Sequence, residues 1–179
     1  MNNKQVRFTT QIAMMLTLLV VIQYMTGSFG QMVTGSLVNM ILLVTTFMVG
    51  IGGGITLAVV SPFLAHILGI GPAFIRIVVF VALGNGILVT LAWVLTHKTI
   101  DDTARLPYNG MSLVLAGIAK TAFLWIGLVK LALPLIPGLT PQQISVISSA
   151  FSWPQLITAG IGATLALIVM PILQRTVKK

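Results

Sequence analysis

The chain has 179 residues, 57% of them hydrophobic and only 7% charged, with a mean hydropathy of +1.07. Ordinary soluble domains are roughly 25% charged, so the composition excludes a soluble fold and assigns the length to spans of about 20 residues with short connections, leaving no room for a second domain. The net charge of +8 does not point to nucleic acid, because Lys and Arg gather mainly at the chain ends and in one loop and form no basic stripe interleaved with aromatics.

Six apolar stretches follow one another, at 9–27, 33–50, 54–70, 72–96, 110–136 and 150–174. Each is long enough, or nearly so, to cross a hydrocarbon core about 30 Å thick at about 1.5 Å per residue. Lipid offers no partner to an exposed N–H or C=O, and the ten-residue alternation of a membrane barrel is missing, so the spans are helices. The expected fold is all-α: one membrane domain, a six-transmembrane-helix bundle. The first stretch follows Lys4 and Arg7 and ends at Gly27-Ser28, roughly the layout of a secretory signal peptide. Retention as a helix is favoured because it gives an even number of spans.

Orientation comes from counting basic residues at alternate connections. Lys4 and Arg7 precede the first span, Lys98 and Arg105 lie in the 97–109 loop, and Arg175, Lys178 and Lys179 close the chain. The connections at 28–32, 70–72 and 137–149 carry none. Both termini are therefore expected in the cytoplasm of a multi-pass cell-membrane protein, together with the only two acids, Asp101 and Asp102.

On this topology most intramembrane polar residues fall in the outer half. Gln23, Gln31, Asn39, His66, Arg76, Lys130, Trp153 and Gln155 lie there, while Asn85 and Lys120 come nearer mid-membrane. Polar groups are expensive in hydrocarbon and mark functional sites. With no carboxylate in that half, Arg76 and Lys130 need another partner. One reading is an outward-facing pocket for an anionic or strongly hydrogen-bonding solute, in which Arg76 grips a carboxylate or phosphate bidentately. The bland reading is snorkelling of long side chains to lipid phosphates. His66 reads first as a hydrogen-bonded packing residue, and Asn39, Asn85 and Gln155 as ties between helices. Trp153-Pro154 fits an interfacial anchor with a proline in a first helical turn. Lys120 is deep enough to face the bundle interior or a partner protein.

Several chemistries lack their residues. The chain has no cysteine for disulfides or thiolate metal sites, and its two histidines are far apart, without metal-ligand spacing. No carboxylate pair or Ser-His-Asp set can assemble from two adjacent cytoplasmic acids, so neither an enzyme nor a cofactor is expected. Gly50-Ile51-Gly52-Gly53-Gly54 lacks the Gly-Lys-Ser/Thr ending of a phosphate loop and reads as a tight cytoplasmic turn. ATP hydrolysis would have to reside in another chain. Small residues four apart at Ala13–Thr17, Ala159–Ala163 and Gly162–Ala166 suit close helix approach, and Ser61-Pro62 and Pro134 should bend or interrupt their helices.

Six spans with inside termini, a basic lead into a small-residue first helix, and the phrases Gly35-Ser36-Leu37-Val38-Asn39, Ser61-Pro62 to Leu68-Gly69-Ile70-Gly71-Pro72, and Gly84-Asn85 together resemble the substrate-binding S components of energy-coupling-factor vitamin transporters. The resemblance implies capture of a water-soluble vitamin at the outer face and uptake with a transmembrane coupling subunit and two ATP-binding subunits. It also implies that Ala13 and Thr17 contact the coupling subunit, with the threonine departing from the family's Ala-xxx-Ala pattern. Pantothenate is the leading vitamin because Arg76 favours a negative group. Folate, niacin, pyridoxine, a hydroxymethylpyrimidine and cobalamin stay open, as do a small autonomous channel or facilitator and a purely structural subunit.

Overall fold

A computed structural model describes residues 3–100 and 102–177. Asp101, Lys178 and Lys179, used above for orientation, lie outside the described residues. The helices are α1 (Asn3–Thr26), α2 (Gln31–Met48), α3 (Ile51–Ile67), α4 (Ile75–Thr96), α5 (Leu106–Phe123), α6 (Pro141–Ala150) and α7 (Trp153–Val177), and no strand occurs among the described residues. The fold is all-helical, with long apolar helices compatible with a membrane bundle. Five helical segments are long and apolar enough to cross a membrane. The sixth apolar helix, α3, has 17 residues and spans about 26 Å at about 1.5 Å per residue.

Two expectations change. The 137–149 connection, read only as a link between spans, contains a helix of its own, α6, which buries none of its residues. Its start is a capping box, with Thr140 Oγ1 accepting from Gln143 N at 3.2 Å and Gln143 Oε1 accepting from Thr140 N at 2.9 Å, so two otherwise orphaned donors are satisfied. The glycine run is not all turn either. Only Val49 and Gly50 separate α2 from α3, with Gly50 at φ 103°, while Gly52–Gly54 form the first turns of α3. A Cβ on Gly54 would collide with the Thr46 side chain, which is how two antiparallel helices joined by two residues can lie so close.

Beyond Phe123, α5 continues as a π-helical segment (Leu124–Ala132) and tightens into a 3₁₀ turn (Leu133–Leu135). Pro134, in that turn, cannot donate to a preceding carbonyl, so the regular helix ends there. Pro62 lies within a helix that runs on to Ile67.

The start of α1 and the last turns of α7 meet one end of the bundle. Phe8 packs on Gly52 at the start of α3, while Ile100 and Leu173 pack against the same apolar cluster of Leu43, Leu88, Ala92, Leu113, Ala116 and Ala166. This end carries the 49–50 and 97–105 connections; the opposite end carries 27–30, 68–74 and 136–152. Small residues mediate the tightest contacts. Ala159, Ala163 and Ala166 are buried along α7, and Gly162 faces Ser36 and Asn39 of α2. Buried hydroxyls of Thr45, Thr46 and Thr96 donate to the carbonyl four residues back, which keeps them satisfied without water. Around the outside, Ile55, Val59, Val79, Leu83, Leu115 and Ile168 are exposed, an apolar coat that suits lipid.

Candidate functional site

At the end opposite the chain termini the helices enclose a cavity of about 840 Å³, within the range of about 300–1,000 Å³ common for small-molecule sites. Gln23 of α1, Thr34 and Val38 of α2, and Ser61 and Pro62 of α3 line it. Ile77 and Val81 of α4 and Leu124 line it as well. Helix α6 contributes Gln142, Gln143, Val146 and Ile147.

A polar cluster lies at the base of the cavity, where α2, α4 and α5 converge. Lys120 is only 4% exposed, and its Nζ donates to Asn39 Oδ1 at 2.6 Å and to Asn85 Oδ1 at 2.8 Å. Asn39 Nδ2 donates to Thr158 Oγ1 at 3.4 Å, and the Thr158 hydroxyl donates to the Gln155 carbonyl at 3.1 Å, so the network ties α5 through α2 to α7. Gln155, also buried and lining the cavity, donates from Nε2 to Ala150 O at 3.2 Å. The Lys120 partners are neutral amides. Among the described residues the one carboxylate with an ion pair is Asp102, 3.5 Å from Arg105 Nε in the loop before α5, so no described carboxylate pairs with the cation at the base. On the cavity wall, the buried Oε1 of Gln23 has no hydrogen-bond partner.

Of the polar residues singled out from sequence, Asn39, Asn85 and Gln155 thus come together on the cavity with Gln23, Gln31 and Lys120, whereas Arg76, His66, Lys130 and Trp153 do not line it. Arg76 is exposed, with one long contact of 3.5 Å from Nη1 to Leu135 O, because its place in the first turn of α4 points it off the bundle. His66 Nδ1 lies 2.8 Å from Pro72 O and closes the turn after α3. Lys130 is exposed, with Nζ 5.0 Å above the Trp125 ring, since the π-helical register turns Leu124 and Leu128 inward and Lys130 out. Trp153 is 66% exposed at the start of α7. Comparison with protein-family models, curated proteins and solved structures gives no match.

Ala13 and Thr17 occupy an exposed face of α1, where the Thr17 hydroxyl donates to Ala13 O at 2.9 Å. Helix α1 buries only Leu19, so most of its surface stays outside the bundle.

Sequence reasoning left Lys120 out of the binding set although its signal was present: a lysine near the middle of a long apolar helix. It also missed α6, whose Thr140-Pro141-Gln142-Gln143 start has capping-box spacing ahead of Ile144, Val146 and Ile147. Among the described residues no group of three His, Asp or Glu side chains could hold a metal ion.

Proposed function

We propose that this chain is the solute-capturing subunit of a membrane transporter of the energy-coupling-factor type, binding a water-soluble vitamin at the outer face for uptake driven by a transmembrane coupling subunit and two ATP-binding subunits. In this reading both termini are cytoplasmic. The cavity end of the bundle carries no Lys or Arg in its three connections, whereas Lys4, Arg7, Lys98 and Arg105 belong to the other, the asymmetry that cytoplasmic retention of positive charge produces.

The observation that carries the proposal is a cavity of about 840 Å³ with polar groups at its base and an apolar cluster beneath. Between Lys120 and the opposite end the bundle packs Leu43, Val44, Leu88, Leu113, Ala163 and Met170 together, and the buried Thr45, Thr46 and Thr96 hydroxyls there are spent on carbonyls of their own helices. A conducting path would need polar lining there, so the arrangement suits capture and release on one side better than a channel. Movement of the solute inward then requires partner subunits, and the exposed Ala13–Thr17 face of α1 is the surface offered to the coupling subunit.

Thermal unfolding of the purified chain in detergent against a panel of water-soluble vitamins, pantothenate first, tests the proposal. A bound solute at 100 times its dissociation constant adds about 2.7 kcal/mol to stability. One vitamin should give a saturable stabilisation; a folded sample that responds to none contradicts solute capture.

A further inference from the structure

We propose that Lys120, with Asn85 beside it, is the anchor for a carboxylate, so that the captured solute is an organic acid held by its charged end at the base of the cavity. The inference rests on the solute-capture reading and narrows it to one chemical class.

The donors and acceptors at the base do not balance. An ammonium has three N–H donors, and Lys120 uses two of them, on Asn39 Oδ1 and Asn85 Oδ1. Those two bonds engage both amide oxygens with the cation. Asn39 Nδ2 spends one of its two N–H donors on Thr158, whereas Asn85 Nδ2 donates to no group among the described residues. Since Lys120 and Asn85 both line the cavity, the base offers a solute one remaining lysine N–H and the two N–H donors of the Asn85 amide. A group complementary to this has two acceptor oxygens, no donor and a negative charge, which describes a carboxylate.

Countercharge argues the same way. The whole chain has two acidic residues, Asp101 and Asp102, both in the 97–109 loop at the far end of α5. Lys120 lies 14 residues into a helix beginning at Leu106, about 21 Å along it at about 1.5 Å per residue, so Asp102 does not reach it. A buried charge without a partner is strongly destabilising, and an ion pair with further hydrogen bonds is the arrangement that offsets its desolvation. The solute supplies the missing member. Arg76, exposed and outside the cavity, does not take this part.

Matched acids and neutral analogues test the assignment: pantothenate against pantothenyl alcohol, nicotinate against nicotinamide, and biotin against its primary amide. Each is titrated into the purified chain in detergent, with affinity read by calorimetry. The acid of one pair should bind at least 30-fold more tightly than its neutral partner, Lys120→Met should abolish that preference, and Lys120→Arg should retain part of it. If Lys120→Met does not fold, the wild-type comparison decides alone. A neutral analogue binding within threefold of its acid, or Lys120→Met keeping the preference, overturns the carboxylate anchor while leaving solute capture standing. Failure of every vitamin, acid or neutral, overturns both.

Discussion

Replacing Gly162 by alanine should open the seam between α2 and α7 and weaken the site with it. A Cβ there would lie 2.6 Å from Asn39 Cβ, 2.8 Å from Ser36 O and 2.9 Å from Met40 N. Non-bonded carbons settle at about 3.5–4.0 Å, so the helices must part by about 1 Å, and two of the three obstacles are backbone atoms that cannot rotate away. Overpacking of this kind costs about 1–3 kcal/mol, against a gain of up to about 1 kcal/mol from helix propensity. Gly160, on the same helix, has nothing within 4 Å of its Cβ position, so Gly160→Ala should collect the propensity gain alone. Thermal unfolding in one detergent should therefore place Gly162→Ala below Gly160→Ala by about 1–3 kcal/mol. Because Asn39 is displaced from Lys120, solute affinity should fall about tenfold in the first variant, equivalent to about 1.4 kcal/mol, and stay at the wild-type value in the second. Equal stability of the two variants would refute the packing argument.

Arg76→Ala should change the affinity for an anionic solute less than threefold in a titration, because the guanidinium is exposed and outside the cavity; a loss above tenfold would return it to the site. Thr140→Ala removes the α6 cap and should cost that helix about 1 kcal/mol, seen as faster amide exchange across Pro141–Ala150 and a faster solute off-rate. Asn85→Leu leaves Lys120 Nζ without one of its acceptors and should destabilise the unliganded chain by about 1–3 kcal/mol, much of which Asn85→Leu combined with Lys120→Met should recover. Chemical unfolding of the single and double variants would reveal whether that coupling exists.

Hydropathy made the helices legible. The span expected at 33–50 is α2 at Gln31–Met48, and that at 72–96 is α4 at Ile75–Thr96, because length and apolarity alone decide where a chain can satisfy its backbone in lipid. Facing was not legible. The hydrophobic stripe of a soluble helix shows its inner side, but here both sides are apolar, so the sequence could give Arg76, Lys130 and Lys120 a depth and not a direction. The deepest of the three turned out to be the buried one. Arg76 and Lys130 lie on helical turns near the bundle rim, where long side chains reach outward. Helix α6 escaped because its composition is too polar for a span, although Thr140 before it and Gln143 in its first turn carry the capping signal.

The central claim, a solute cavity open to the outside and served from the cytoplasm by partners, meets its most direct test in cysteine accessibility, since the chain has no native cysteine. Ala150, on the cavity, and Lys98, in the 97–105 connection, would each be changed to cysteine. Intact cells would then be exposed to a membrane-impermeant thiol reagent, with and without a saturating mixture of water-soluble vitamins. Ala150→Cys should be labelled from outside and protected by the mixture, and Lys98→Cys labelled only after permeabilisation. Labelling of Lys98→Cys in intact cells, or of Ala150→Cys without any protection, would contradict the account.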